Sequence, residues 1–418
     1  MVKIIYQIAI QVFAFLIRFV APFNHKLKLG TEGRKGLLDR LRASLPAQAA
    51  GRPVAWFHVA SLGEFEQGRP VMEAYRDAYP GHFILLTFFS PSGYEIRKNY
   101  NGADLICYLP IDTPSNAREF VRIINPRIAF FVKYEFWFNY LRELRKNGTY
   151  ILSFSSIFRP DQIFFKSYGG FFRRTLGYFD HLFVQNQASV ALLHGAGIPN
   201  ASIAGDTRFD RVRAIAANAR ELQEIARFKG QGQCLIAGSI WDADMQALIP
   251  ALNALTGKLK VIIAPHEIRA EEIEGWRAKL NGRSILYSEV AAGQSPETFD
   301  CLIINNIGML SSLYRYGDMA YIGGSFGVGL HNILEAATFG LPIVFGNKSY
   351  HRFQEAVDLI EKGGAFAIPD SAALLQTLQG WVDNPESADM AGEISSEYVK
   401  SGTGATDRIM RKVQEAMS

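Results

Sequence analysis

From residue 53 onward the chain alternates short, almost wholly apolar runs with amphipathic ones, and it does so twice. Residues 54–59, 83–88, 103–109, 127–132, 150–154 and 181–185 read as strands, with helical patterns between them. A strand without polar alternation is buried on both faces, so this order predicts a parallel sheet covered by helices. After a turn-rich stretch at 195–211 the pattern restarts, with strands at 234–238, 260–264, 284–287, 301–304, 319–322 and 342–345. A length of 418 residues is more than one core needs and suits two. The predicted fold is therefore α/β: two doubly wound, Rossmann-like domains, with the ligand-binding carboxyl ends of both sheets facing a central cleft. The expected boundaries are a helix at 1–24, an N-terminal domain at 25–208, a C-terminal domain at 209–387 and a segment at 388–418. That last segment is predicted to be one long helix packing back.

Residues 2–23 are rich in Ile, Phe, Val and Ala and match the roughly 20 residues that cross a bilayer. Lys3, Gln7, Gln11 and Arg18 fall on one helical stripe, while Ile4, Ile5, Ile8, Phe13, Phe15 and Leu16 fill the rest, the pattern of a helix lying in the membrane interface. A buried core helix is the alternative. No small-residue cleavage site follows, which argues against a signal peptide. Lys26, Lys28, Arg34, Lys35, Arg40 and Arg42 come next, opposed only by Glu32 and Asp39. Such a cluster attracts anionic head groups and favours the cytoplasmic side. The net charge of +4 is small for the length and gives no reason to expect a nucleic-acid partner. Cys107, Cys234 and Cys301 are far apart, so they predict neither a disulfide framework nor a zinc site.

Three motifs carry chemistry. Ser61-Leu62-Gly63-Glu64 follows the first strand and opens a helix, where Glu64 could take a proton from a hydroxyl; the same Ser-x-x-Glu spacing is also a capping box. Glu135, in Tyr134-Glu135-Phe136-Trp137, ends another strand of the same half and offers a second carboxylate at that sheet edge. In the second half, Tyr321-Ile322-Gly323-Gly324-Ser325-Phe326-Gly327-Val328-Gly329 runs from a strand through a glycine-rich loop toward a helix expected to begin near Asn332. Bare backbone N–H groups there suit a phosphate, and Glu335, one turn into the helix, suits ribose hydroxyls. Asp242-Ala243-Asp244 looks like a metal-binding Asp-x-Asp, but both acids fall in the first turn of a helix, so capping is the expected role and no metal is predicted.

Taken with Gly205-Asp206-Thr207-Arg208-Phe209-Asp210 and Asn332-Ile333-Leu334-Glu335, these motifs resemble the 3-deoxy-D-manno-octulosonic acid (Kdo) transferases of lipopolysaccharide assembly over nearly the whole chain. The resemblance implies an inverting glycosyltransferase of the two-domain GT-B type, acting at the cytoplasmic face of the inner membrane. Its donor would be CMP-Kdo and its acceptor the lipid A precursor. It implies that Glu64 is the catalytic base and that Glu135 helps to stabilise the transition state. Arg208 stands where most members have lysine, and either cation could offset charge on the departing phosphate. For the nucleotide, the resemblance points to Pro265 and His266, to Ile307, Gly308 and Met309, to Ser325, and to Asn332, Ile333, Leu334 and Glu335. Ser239-Ile240-Trp241-Asp242 departs from the family's Ser-Thr-His-x-Gly-Glu. Two rivals remain: a nucleotide-sugar epimerase of the same architecture, and a non-catalytic, membrane-tethered sugar-nucleotide binding protein.

Overall fold

The computed structural model describes residues 2–417, which form two compact units. One runs to Arg211 and takes in the C-terminal segment from Thr403; the other is Val212–Gly402. The first unit holds a seven-stranded sheet made of β1 (Val54–Val59), β2 (Phe83–Phe88), β3 (Leu105–Tyr108), β4 (Pro126–Val132), β5 (Tyr150–Ser156), β6 (His181–Val184) and β7 (Ala201–Ile203), in the order β3-β2-β1-β4-β5-β6-β7. The second holds β8 (Cys234–Ile240), β9 (Lys260–Pro265), β10 (Ser284–Leu286), β11 (Cys301–Ile303), β12 (Met319–Ile322), β13 (Ile343–Gly346) and β14 (Ala365–Ile368), ordered β10-β11-β9-β8-β12-β13-β14. The paired strands run parallel in both sheets. Each order reverses direction once, between β1 and β4 and between β8 and β12. Doubly wound sheets open a crevice for ligands at such a reversal.

β1 and β2 are buried along their whole length and β4 from Ile128 onward, as their apolar runs predict. Alternate side chains of β1 feed two cores: Val54 and Trp56 on one face, Ala55, Phe57 and Val59 on the other. The expectation missed β7 and β14. Both are short edge strands, and β7 reads as part of the turn-rich stretch before Arg211.

The expected single helix over 388–417 is two helices, Pro385–Gly402 and Ala405–Met417. Gly404 takes a left-handed φ of +93° between them, a conformation that glycine adopts at little cost. Asp210 fixes the break, accepting from the backbone N–H of Gly404 at 2.6 Å and of Thr406 at 2.7 Å. The last helix buries Ile409, Met410 and Val413 in the first unit, in the core that also takes Phe65, Val71 and Met72.

At the N-terminus stand four helices, α1 (Val2–Val20), α2 (His25–Arg34), α3 (Leu37–Ala49) and, after β1, α4 (Leu62–Ala78). The segment Val2–Phe23 is long and apolar enough to cross a membrane by length and composition, with a mean hydropathy of 2.0. Of the stripe expected from Lys3, Gln7, Gln11 and Arg18, one member meets the protein. Lys3, Gln11 and Arg18 are exposed, but Gln7 faces the protein, donating to Asn139 Oδ1 at 2.7 Å. Beside it Tyr6 donates to Asp112 Oδ2 at 2.6 Å, and Ile10 is buried. The domain surface itself supplies polar partners here. Ile4, Ile8, Phe15 and Phe19 lie on the exposed side.

Candidate active site

Glu64 sits in the first turn of α4, directly after β1, and its carboxylate does what the capping spacing predicts. Oε2 accepts from the Ser61 backbone N–H and from the Ser61 hydroxyl, both at 2.8 Å. Among the described residues Oε1 takes part in no hydrogen bond with another side chain. The cap therefore orients the group without occupying both oxygens, and the two readings of Glu64 are compatible.

Glu135 follows β4, the neighbour of β1 across the strand reversal. It is buried, and Oε2 accepts from Trp137 Nε1 at 2.6 Å and meets His58 Nε2 at 3.0 Å. His58 lies on β1 in register with Thr87 of β2, and its Nδ1 is 2.9 Å from the Thr87 hydroxyl. That hydroxyl also accepts from Trp56 Nε1 at 2.8 Å. With Glu135 as a carboxylate, which only accepts, Nε2 carries the ring proton. Sequence reasoning missed His58 because a lone histidine in an apolar strand reads as core. Lys133 precedes this turn at φ +59°, and Ser155 at the end of β5 stands at φ +61°. Left-handed non-glycine residues cost energy that the surrounding packing must offset, and they gather at functional edges.

Arg208 is partnered by its own loop: its Nε donates to Asp206 Oδ2 at 2.8 Å and its backbone N–H to Asp206 Oδ1 at 2.9 Å. Thr207 ties the same loop to α4, donating to the Gln67 carbonyl at 2.6 Å, and Gln67 lies three residues along the helix from Glu64.

In the second unit, Pro265, His266, Ile307, Gly308 and Met309 are brought together around a cavity of about 450 Å³ at the carboxyl ends of β9 and β11, with Ser239 on its wall. His266 is exposed and stacks on two neighbouring rings, Trp241 at 4.5 Å and His331 at 4.4 Å between centroids. Trp241 Nε1 donates to His331 Nε2 at 3.0 Å. Burial and the neighbouring His266 push the His331 imidazole down to about 4, so it accepts that bond as a neutral ring. Trp241, which departs from the family pattern, therefore holds His266 in place.

The glycine-rich loop differs from expectation in two ways. Its helix is Leu334–Thr338, starting two residues later than Asn332 and running only five residues. Many of its N–H groups are also spent internally: Gly324 donates to Asp244 Oδ2, Gly327 and Gly329 to the Gly324 carbonyl, and His331 to the Gly323 carbonyl. Those donors cannot meet an anion without rearrangement. Close packing explains two of the glycines, since a Cβ at Gly323 would lie 2.2 Å from the Ser239 carbonyl oxygen and one at Gly324 2.2 Å from that of Gly329. Ser325, Ile333 and Leu334 are buried, so Ile333 and Leu334 can offer a ligand only backbone. Exposed Asn332 donates to Glu335 Oε1 at 3.2 Å.

The Asp-x-Asp pair is committed elsewhere. Asp244 accepts from the Trp241 and Gly324 backbones and from the Tyr321 hydroxyl, while Asp242 accepts from Trp276 Nε1 at 3.0 Å. Among the described residues no group of three or more His, Cys, Asp or Glu side chains is placed to hold a metal ion.

Residues 34–211, which carry Glu64, Glu135 and Arg208, match the family described as 3-deoxy-D-manno-octulosonic-acid transferase (kdotransferase). The 3-deoxy-D-manno-octulosonic acid transferase of Chlamydophila psittaci is 26% identical over 90% of this chain and 88% of that protein. That of Bordetella pertussis is 26% identical over 90% of each. The chain is thus similar to Kdo transferases over most of its length, and its N-terminal unit matches that family's model. Solved structures agree on the GT-B-like α/β fold: MurG of Acinetobacter baumannii, with a TM-score of 0.57 at 13% identity, covers 87% of this chain and 99% of that one. The UDP-GlcNAc 2-epimerase of Neisseria meningitidis bound to UDP-GlcNAc reaches 0.62 at 12% identity, covering 87% of this chain and all of that one. Epimerase and transferase share this fold, so fold does not separate them. That similarity implies a glycosyltransferase of lipopolysaccharide synthesis.

Proposed function

We propose that this chain moves Kdo from CMP-Kdo to the lipid A precursor, the tetraacyl disaccharide 4'-phosphate (lipid IVA), inverting the anomeric configuration, at the cytoplasmic face of the inner membrane. The observation that carries this reading is Glu64: a carboxylate at the strand reversal of the first unit, oriented through one oxygen by Ser61. Glu64 takes the proton of the acceptor's primary hydroxyl while that oxygen bonds to the anomeric carbon. The bond from that carbon to the phosphate oxygen breaks, and CMP leaves with the electron pair. A general base of this kind contributes roughly 10²–10⁴-fold. A single in-line displacement inverts the centre. Glu135, held by His58 and Trp137, supplies fixed negative charge beside the base, and Arg208 offsets charge on the departing phosphate.

In this reading the nucleotide lies in the 450 Å³ cavity against His266 and Gly308, with Asn332 and Glu335 reaching its ribose and phosphate. No metal takes part. A monophosphate leaving group carries less charge than a diphosphate, and Asp242 and Asp244 are already bonded within the fold. EDTA is expected to leave transfer unchanged, and activity lost to EDTA and restored by magnesium would overturn this part. The apolar outer side of α1 and the basic residues of α2 and α3 would rest on a membrane surface bearing anionic lipid.

The test is to incubate the purified full chain with CMP-Kdo and the lipid A precursor and to count added Kdo by mass spectrometry. Transfer supports the reading. Epimerisation of a nucleotide sugar with no transfer would favour the epimerase, and tight nucleotide binding with no turnover the non-catalytic protein.

A further inference from the structure

Between α1, α2, α3 and the loop after β3 lies a cavity of about 380 Å³ that the reaction described above does not use. Small-molecule sites run from roughly 300 to 1,000 Å³, so the space is large enough for a ligand group. Its walls are apolar, with Ala14 and Ile17 from α1, Leu37 and Leu38 from α3, and Pro110 and Ile111 from the loop. Ala14 and Ile17 are partly buried at the edge of the exposed apolar side of α1, so the cavity continues that apolar surface inward.

Cations dominate its rim. Arg18, Arg34 and Lys35 line it against one carboxylate, Glu32, which lies 3.9 Å from Lys28. Arg18 and Lys35 are exposed and form no ion pair among the described residues. Arg34 is fixed: it donates to the carbonyls of Gly30, Phe89 and Leu109 at 2.9, 2.5 and 2.7 Å and lies 4.9 Å from the centroids of both the Phe89 and Tyr108 rings. Burial lowers it only to about 10, so it stays charged at neutral pH. The rim also connects to the candidate site. Phe89 stacks on Trp137 at 5.1 Å, and Trp137 donates to Glu135.

We propose that this cavity holds an acyl chain of the lipid acceptor, with an acceptor phosphate resting on Arg18 and Lys35. An apolar chamber continuous with a membrane-facing helix takes hydrocarbon, and a rim of cations without carboxylate partners selects an anionic head. A bulk phospholipid would satisfy the same chemistry. The ring path from Arg34 through Phe89 and Trp137 to Glu135 favours the acceptor, because it sets the rim beside the residues that would receive the acceptor's sugar. The inference rests on the proposed acceptor reading.

The test fills the chamber in the full chain with Leu38→Trp and, separately, Ala14→Trp. It compares turnover on the detergent-dispersed tetraacyl acceptor with turnover on its deacylated disaccharide. The expected result is a rise in KM for the acylated acceptor of about tenfold or more, with kcat held within about twofold, so that the preference for the acylated substrate collapses. Arg18→Gln combined with Lys35→Gln should raise the same KM in an unfilled chamber, so the idea remains testable if either tryptophan variant melts early. The charge variant should raise KM on both acceptors, since the deacylated disaccharide keeps its phosphate. An unchanged KM in either kind of variant, or an equal rise on both acceptors in the tryptophan variants, would overturn the proposal. So would weakened vesicle binding with unchanged KM on dispersed acceptor, which would assign the cavity to bulk lipid. If the wild-type chain transfers Kdo to neither acceptor, it is the proposed function that fails.

Discussion

His58 and Glu135, 77 residues apart in sequence, meet at 3.0 Å in the interior of the first unit, the imidazole Nε2 against carboxylate Oε2. Neither position alone reads as more than a core histidine and a helix-proximal acid. The Thr87 hydroxyl links this pair to Trp56, so four side chains from three chain segments, β1, β2 and the turn after β4, fix one carboxylate.

Thr87→Val tests that linkage. The substitution keeps the shape and removes the hydroxyl that pairs with Trp56 Nε1 and His58 Nδ1, leaving buried polar atoms unsatisfied at about 1–3 kcal/mol. The expected outcome is a lower denaturant midpoint together with a reduced kcat as Glu135 loses its fixed position. An unchanged kcat per folded molecule would make the network purely structural.

Glu64→Gln separates base from cap. Glutamine retains a carbonyl oxygen for Ser61 and completes a capping box, so the melting temperature should hold while transfer falls by roughly 10²–10⁴-fold. Glu64→Ala should lose the cap as well. Early melting of the glutamine variant, with transfer per folded molecule preserved, would leave Glu64 a cap only.

Asp112 gives a pH dependence. Burial pushes its carboxyl up from 3.8 to about 7, against donations from Tyr6, Asn139 and Tyr140 that hold it down. An acid whose pKa is higher when folded binds its proton more tightly in the folded state. Its contribution is therefore fully present below about pH 4 and is lost as pH rises toward 7. Asp112→Asn does not titrate, so thermal melts from pH 4.5 to 7.5 should show wild type losing stability relative to the variant. A constant difference across that range would count against the shift.

Deleting residues 2–20 should do more than release the chain from vesicles. The deletion strips Tyr6 from Asp112, Gln7 from Asn139 and Phe13 from the Phe89 ring, stacked at 6.4 Å. Lower melting temperature and reduced turnover on a detergent-dispersed acceptor are expected together. Full turnover on dispersed acceptor would show that α1 serves only as an anchor.

The sequence by itself determined the two parallel sheets, because fully buried strands must be apolar along their whole length, and that signal is local. It also determined the candidate carboxylates, since Glu64 and Glu135 each directly follow a strand. The edge strands escaped it: β7 is three residues inside a turn-rich stretch, and β14, though apolar, is a four-residue run with only its two ends buried. The break at Gly404 escaped it because Asp210, nearly two hundred residues away, supplies the cap. Only the tertiary structure decided that Gln7 turns inward, that His58 holds Glu135, that Trp241 stacks on His266, and that the Gly324 N–H is already bonded to Asp244. Each depends on a partner brought near by packing. A side chain's own spacing fixes which face of an element it occupies, but what it meets there is set by chain segments remote in sequence.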